Sequence, residues 1–411
     1  MLHKKRWLLL VVITLFIVGM MTGCGGKEFA TPPQGGDDQA VDVIKIGSIH
    51  PLTGSLAHDG TLLRDAMKMA LDEVNEAGGI KSLGGAKLEL VNGDSEGSPE
   101  KAVSELKRLI KEGCVVNAGC YTSSDTYAVT QEAEKQNTPF VITVASASNI
   151  LDRGFKYTFR IQPHADGMAQ DAVEYIDAIR TPEIKTMSII HEDSLFGTSF
   201  TNYIKEHENE TGLKIASIVP YPTTTPTLDS EISKLAAAKP DIVVGTGYYR
   251  DQTLMLKTLR EQKFNPRAVV GIANGAFSDP NFIEELGDDA ELILDINYHI
   301  NPKSEFGRQV KQKFRETYGV DLSASALYGY TAGQVIADAI ERAGSTDTDK
   351  IREALTETNF ENHVLPGGPI MFDETGENIN AKCVLIQIQN GKHVVVYPEE
   401  YAEADLIFPT N

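Results

Sequence analysis

The sequence predicts an α/β fold of two doubly wound parallel-sheet lobes, on three observations. Strand-type and helix-type apolar patterns alternate along most of the chain, as parallel strands joined by covering helices require. The alternation runs twice, with a lapse over residues 150–163 between the runs. The 411 residues also exceed what one ordinary core encloses.

In the first run, 43–49 is an apolar strand and 61–77 an amphipathic helix with Leu62, Ala66, Met69, Ala70 and Val74 on one face. Residues 86–91 read as a strand. Residues 99–111 read as a helix, with Ser98 as its cap and Pro99 in its first turn. Strand 115–118, helix 123–135 and strand 140–144 follow. The second run places helices at 165–179, 196–209, 228–237 and 251–262 between strands at 186–191, 215–219, 242–245, 268–272 and 291–297. The last third changes character. Helices are expected at 305–318, 326–343 and 349–356, then a strand pair, 382–389 and 392–397, about the turn dipeptide Asn390-Gly391.

Hydrophobic residues make up 41%, enough for packed cores. The net charge of −20 opposes binding to nucleic acid or flat adhesion to anionic lipid, both of which want a basic surface. In a strand, Cys114 and Cys120 would stand roughly 20 Å apart, beyond disulfide reach. With Cys383 they read as small buried hydrophobes, with no metal-type spacing.

The first residues form a basic end, His3-Lys4-Lys5-Arg6, and an apolar run over 7–21. That run is short for a membrane span, which needs about 20 apolar residues. Met21-Thr22-Gly23-Cys24 resembles the lipobox of bacterial lipoproteins. The resemblance implies a signal peptide over 1–23, lipidation of Cys24, and an extracytoplasmic, membrane-anchored protein. The Gly- and Pro-rich residues 24–42 then read as a flexible tether.

No Walker loop, complete dinucleotide fingerprint, His-Glu-x-x-His or Gly-x-Ser-x-Gly is present, and no cofactor or metal is expected. His191-Glu192-Asp193 and His50 read as strand-end hydrogen-bonders rather than catalysts. In parallel sheets, ligands sit beyond the C-terminal strand ends. The loops there are hydroxyl-rich: 48–60, then 119–125 with Tyr121, Ser123 and Ser124, then 143–148 with Ser146 and Ser148. Ser123 falls at a helix start, where free N–H groups favour an anion such as a carboxylate. The same serines also suit plain capping of helices and turns.

Several pieces recur in one order: Ile44-Lys45-Ile46-Gly47 with Leu52-Thr53-Gly54, Gly78-Gly79-Ile80, Asp94-Ser95, residues 119–124 and residues 141–148. Phe196-Gly197, Gly247-Tyr248, Tyr328-x-Tyr330-x-Ala332, Gly367-Gly368-Pro369 and Phe372-Asp373-x-x-Gly376 follow. In this series the chain resembles the periplasmic binding proteins of branched-chain amino acid and amide ABC transporters. The resemblance implies a type I fold with three crossovers at its hinge. It places lobe one at 43–162 and 299–367, and lobe two at 163–298 and 368–411.

It also implies residue roles. Ser123 holds a ligand carboxylate, and the Ala145 backbone holds the amino acid. Ala147 stands where the family carries a threonine, with Ser146 or Ser148 as substitutes. Phe196 and Tyr248 cover the ligand from lobe two, and Tyr121 lines the side-chain pocket. Where the family places an acid for the ligand ammonium, this chain offers Asn274. Asp59 either replaces that acid or forms a turn before Gly60. The expectation is a monomeric, non-enzymatic receptor for an amino acid, amide or carboxylate that delivers to a permease and ATPase. An extracytoplasmic sensor and a cleft-borne hydrolase are the alternatives.

Overall fold

A computed structural model describes residues 42–410. The expected leader, tether and Cys24 fall outside the described residues, apart from Asp42. The first sheet begins with β1 (Val43–His50), followed by α1 (Ala57–Glu76), β2 (Lys87–Asp94), α2 (Pro99–Lys111), β3 (Cys114–Gly119), α3 (Ser123–Lys135), β4 (Phe140–Ile142) and β5 (Thr158–Arg160). Its strand order is β2-β1-β3-β4-β5, with every pairing parallel. β5 lies inside the stretch where alternation lapses. Three residues are too few to show a period, and pairing with β4 alone makes them a strand.

The second sheet takes β6 (Thr186–Glu192), β7 (Lys214–Tyr221), β8 (Ile242–Thr246), β9 (Ala268–Ile272) and β10 (Leu294–Asn297). Between and before them lie α4 (Ala165–Ile179), α5 (Leu195–Glu206), α6 (Asp229–Ala238), α7 (Tyr249–Glu261) and the short α8 (Pro280–Leu286). Sequence periodicity missed α8, which covers barely two turns, although Asp279-Pro280 supplies a cap and a first-turn proline. The chain then returns to the first sheet. There α9 (Glu305–Tyr318) and α10 (Ala326–Ala343) pack on α1, and α11 (Thr348–Thr356) packs on α10. It ends with β11 (Val384–Gln389) and β12 (Lys392–Tyr397), which add an antiparallel edge to give the order β12-β11-β10-β9-β8-β6-β7. The hairpin turns at Asn390 (φ 54°) and Gly391 (φ 68°), the paired positive angles that this dipeptide tolerates.

The chain thus passes between the sheets three times: after β5, after β10, and between α11 and β11. Cys114, Cys120 and Cys383 are all buried. His50 is fully buried between Ser48 Oγ (2.9 Å) and Thr143 Oγ1 (3.3 Å). Burial, then the charge of Arg64, lowers its pKa to about 3, so it stays neutral as a strand-end brace. Glu192 serves the next helix instead: its carboxylate accepts from Ser194 N (2.7 Å) and Gly197 N (2.5 Å) at the start of α5.

Candidate functional site

The C-terminal strand ends of both sheets face one cleft. It is lined from the first lobe by Tyr121, Ser123, Val144, Ala145 and Ser146. From the second lobe come Phe196, Gly247, Tyr248, Ala273, Asn274 and Gly275.

Ser123 is the first residue of α3 because Thr122 caps the helix, its Oγ1 accepting from Asp125 N at 3.1 Å. The Ser123 hydroxyl therefore sits where the unpaired N–H groups and the helix dipole favour negative charge. It also accepts from Ala147 N at 3.2 Å, which ties the loops after β3 and β4 together. Ser146 Oγ is buried beside the Tyr298 hydroxyl and makes no hydrogen bond of good geometry among the described residues. Such an atom on a cleft wall is ready for a ligand's polar group.

Ala147 is wholly buried behind this wall and meets the cleft only through its bond to Ser123. Ser148 faces elsewhere, into a separate surface cavity, where its hydroxyl bonds His164 Nδ1 at 3.3 Å. Of the two serines beside Ala147, only Ser146 lines the cleft. Ser146 and Ser148 have Ala147 between them in an irregular loop, and sequence gives no direction for side chains there.

The aromatic lid joins the two lobes. Tyr248 stacks obliquely on Phe196 (5.3 Å between centroids) and on Tyr121 of the first lobe (5.6 Å). Tyr248 is the cap of α7, and Asp251 returns its carboxylate to Tyr248 N at 3.2 Å. Tyr221 also donates to that carboxylate. Burial pushes Asp251 up to about 7.

Asn274 lines the cleft, yet its amide is consumed within the second lobe. Nδ2 donates to Gln252 Oε1 (2.7 Å) and Gly245 O (3.2 Å), and Oδ1 accepts from Ala276 N (3.0 Å) and Phe277 N (3.2 Å). Four bonds saturate a carboxamide, so nothing of Asn274 remains for a ligand ammonium.

Asp59 is not in a turn. α1 starts at Ala57, four residues before the periodicity suggested, so Asp59 lies in its first turn. Gly60 continues the helix because a Cβ there would stand 2.0 Å from Pro51 O, so the glycine serves close packing rather than a turn. Asp59 is 3% exposed and opens on a pocket of about 210 Å³ that shares Asn274, Gly275, Asn297 and Ser325 with the main cleft. Burial, then the nearby Asp279 carboxylate, pushes Asp59 up to about 7, while His58 and the Tyr121 hydroxyl pull the other way.

Asp279, the cap of α8, is a second-lobe acid outside residues 271–275 that lines the same small pocket as Asp59. Its Oδ2 meets His58 Nε2 of the first lobe at 3.1 Å. Asn297, the last residue of β10, and Tyr298, just past it, also line the cleft. The strand-end rule would have marked both, since 291–297 already read as a strand.

A family model described as "Periplasmic binding protein" matches residues 43–392. Leu/Ile/Val-binding protein homolog 7 of Brucella abortus is 30% identical over 393 residues, covering 92% of this chain and 96% of that protein. Homolog 8 of the same organism is 30% identical over 379 residues, covering 89% and 93%. Among solved structures, a leucine binding protein (LivK) from Thermotoga maritima superimposes with a TM-score of 0.75 at 24% identity, covering 86% of this chain and 97% of that one. A solute binding protein of an ABC transporter from Rhodopseudomonas palustris, in complex with 3,4-dihydroxybenzoic acid, gives 0.75 at 20% identity, covering 90% and 99%. With its two crossover-linked lobes, a cleft between them and a family match over most of its length, the chain belongs to the periplasmic binding proteins.

Proposed function

We propose that the chain is the solute receptor of an ABC importer, held outside a membrane by lipid on Cys24. It takes amino acids of the branched-chain type, or related small amides and carboxylates, and hands them to a permease and ATPase. It works as a clamp, not as an enzyme. Residues 43–162 and 299–367 form one jaw, and residues 163–298 and 368–411 the other. Ligand selects the closed arrangement.

The observation that carries this reading is the placement of Ser123 and Ser146 opposite Phe196 and Tyr248 across one interlobe cleft. The serine wall, at the N-terminus of α3, suits a carboxylate. The aromatic wall suits a hydrocarbon or ring. Asp59 suits a ligand amino group, whose charge would return the acid to its ionised form. Relatives named for leucine, isoleucine and valine support an aliphatic amino acid, and a neighbour holding a dihydroxybenzoate keeps simple acids in play.

A thermal-shift screen of the full chain against L-leucine, L-isoleucine, L-valine, their amides and aromatic acids tests the proposal. A ligand at about 100 times its dissociation constant adds roughly 2.7 kcal/mol of stability. Silence toward every compound in these classes rejects the assignment.

A further inference from the structure

Four consecutive carbonyls of the serine loop are each held by a residue at or beside a crossover. Val144 O accepts from the Tyr298 hydroxyl (3.3 Å), beyond β10. Ala145 O accepts from Gln162 Nε2 (2.8 Å), just after β5. Ser146 O accepts from Arg160 Nη1 (2.7 Å) and Ala165 N (2.6 Å), and Ala147 O accepts from Arg160 Nη2 (2.9 Å).

Arg160 is the hub of this arrangement. It ends β5 and is wholly buried. Its third nitrogen, Nε, lies 3.5 Å from Glu377 in the third crossover. Its backbone is woven into the same segment, with Arg160 N donating to Gly376 O (2.8 Å) and Asn378 N donating to Arg160 O (3.1 Å). A buried guanidinium is costly to keep unless its geometry serves several partners at once. Here it reaches two loop carbonyls and one carboxylate, and the loop's other edge carries Ser146 Oγ and the Ala147 N–H that meets Ser123.

We propose that Arg160 is a positioning residue that couples the hinge to the ligand loop, holding residues 144–147 so that their cleft edge keeps its geometry and responds to the crossovers. The proposal rests on the reading of this cleft as the solute site, but its first test needs no solute. Glu377 does not line the cleft, and among the described residues no hydrogen bond joins it to residues 144–147. A change there should reach the loop only through Arg160. The contact is a long one, and burial holds Glu377 up at about 7 against the pull of Arg160.

Hydrogen–deuterium exchange on the ligand-free full chain reads the coupling. In Arg160→Lys, the amides of Thr143, Ala147 and Ala165 should exchange about tenfold faster, as loss of a charge-assisted bond implies. α10 and strands β8 and β9 should remain as in the wild type. In Glu377→Gln, the same loop amides should quicken by a smaller factor, more than two hundred residues away in sequence. A rise spread evenly over the first lobe, or none at residues 143–147, overturns the proposal. Should Arg160→Lys fail to fold, an unchanged loop in Glu377→Gln overturns it equally. A parallel titration with L-leucine and 3,4-dihydroxybenzoate keeps the two readings apart. Wild-type silence counts against the solute assignment, whereas loop exchange unaffected by either substitution counts against Arg160.

Discussion

The Ser123 hydroxyl accepts a hydrogen bond from Ala147 N at 3.2 Å. That single contact joins the loops after β3 and β4 into one wall of the cleft, and it presents Ser123 beside the buried Ser146 Oγ. The first prediction follows. Ser123→Ala leaves the buried Ala147 N–H without its acceptor, at a cost of about 1–3 kcal/mol. It also removes one donor from the anion site. Affinity for a carboxylate ligand should fall about tenfold or more, with circular dichroism unchanged. Titration calorimetry on the ligand found by the thermal-shift screen checks it.

Tyr248 contributes through surface rather than through a hydrogen bond to the serine wall. It bridges Phe196 of its own lobe and Tyr121 of the other. Tyr248→Ala removes both ring contacts, each of which contributes about 0.5–1.5 kcal/mol beyond area burial. The expected result is faster ligand release in stopped-flow measurements, with the helix content of α7 retained because Asp251 still reaches the backbone N–H at the cap. An unchanged dissociation rate would place the lid elsewhere.

On the proposed reading, Asp59 decides what kind of ligand fits. Asp59→Asn should weaken binding of any ligand with a free ammonium at least tenfold. It should leave simple carboxylic acids unaffected or bound slightly better, because burying a neutral amide avoids the cost of a charged acid. Parallel titrations with an amino acid and its deaminated analogue measure the difference.

Closure should weaken as pH rises. His58 is raised above the usual histidine value chiefly by its bond to Asp279 on the opposite lobe. That stabilisation is complete below about pH 6.5 and disappears as pH climbs through the raised value. Asp59, at about 7, acts in the same direction. Burial, then the Asp279 carboxylate of the other lobe, raises it, so closing favours the protonated acid and disfavours the ionised one. Interlobe distances measured by electron–electron double resonance on the ligand-free chain should shift toward the open arrangement between about pH 5 and pH 8. In His58→Gln the upper part of that shift should vanish. A flat wild-type profile contradicts the assignment.

The two-run alternation of strands and helices was plain in the sequence because apolar period and turn chemistry are local. The helix starts at Ser123 and at Ser98-Pro99 were legible for the same reason. β5 and α8 were not, since three and seven residues are too short to carry a period. For Asp59 the sequence left a turn and a ligand-binding acid as alternatives, because Asp-Gly ordinarily signals a turn. Only the approach of Pro51 O, a contact from outside the helix, makes Gly60 a packing glycine. Asn274 looked free to meet a ligand, and its saturation by Gly245, Gln252, Ala276 and Phe277 is a tertiary fact.

By itself, then, the order of residues determined two lobes, their parallel sheets and the strand ends from which a site had to be built, because hydrophobic spacing and capping act over a few residues. Tertiary structure alone decided which serine faces the cleft, which acid of the second lobe approaches Asp59, and that Arg160 stands behind the loop. Those outcomes depend on the directions of side chains brought together from segments more than two hundred residues apart, and no local pattern encodes a direction.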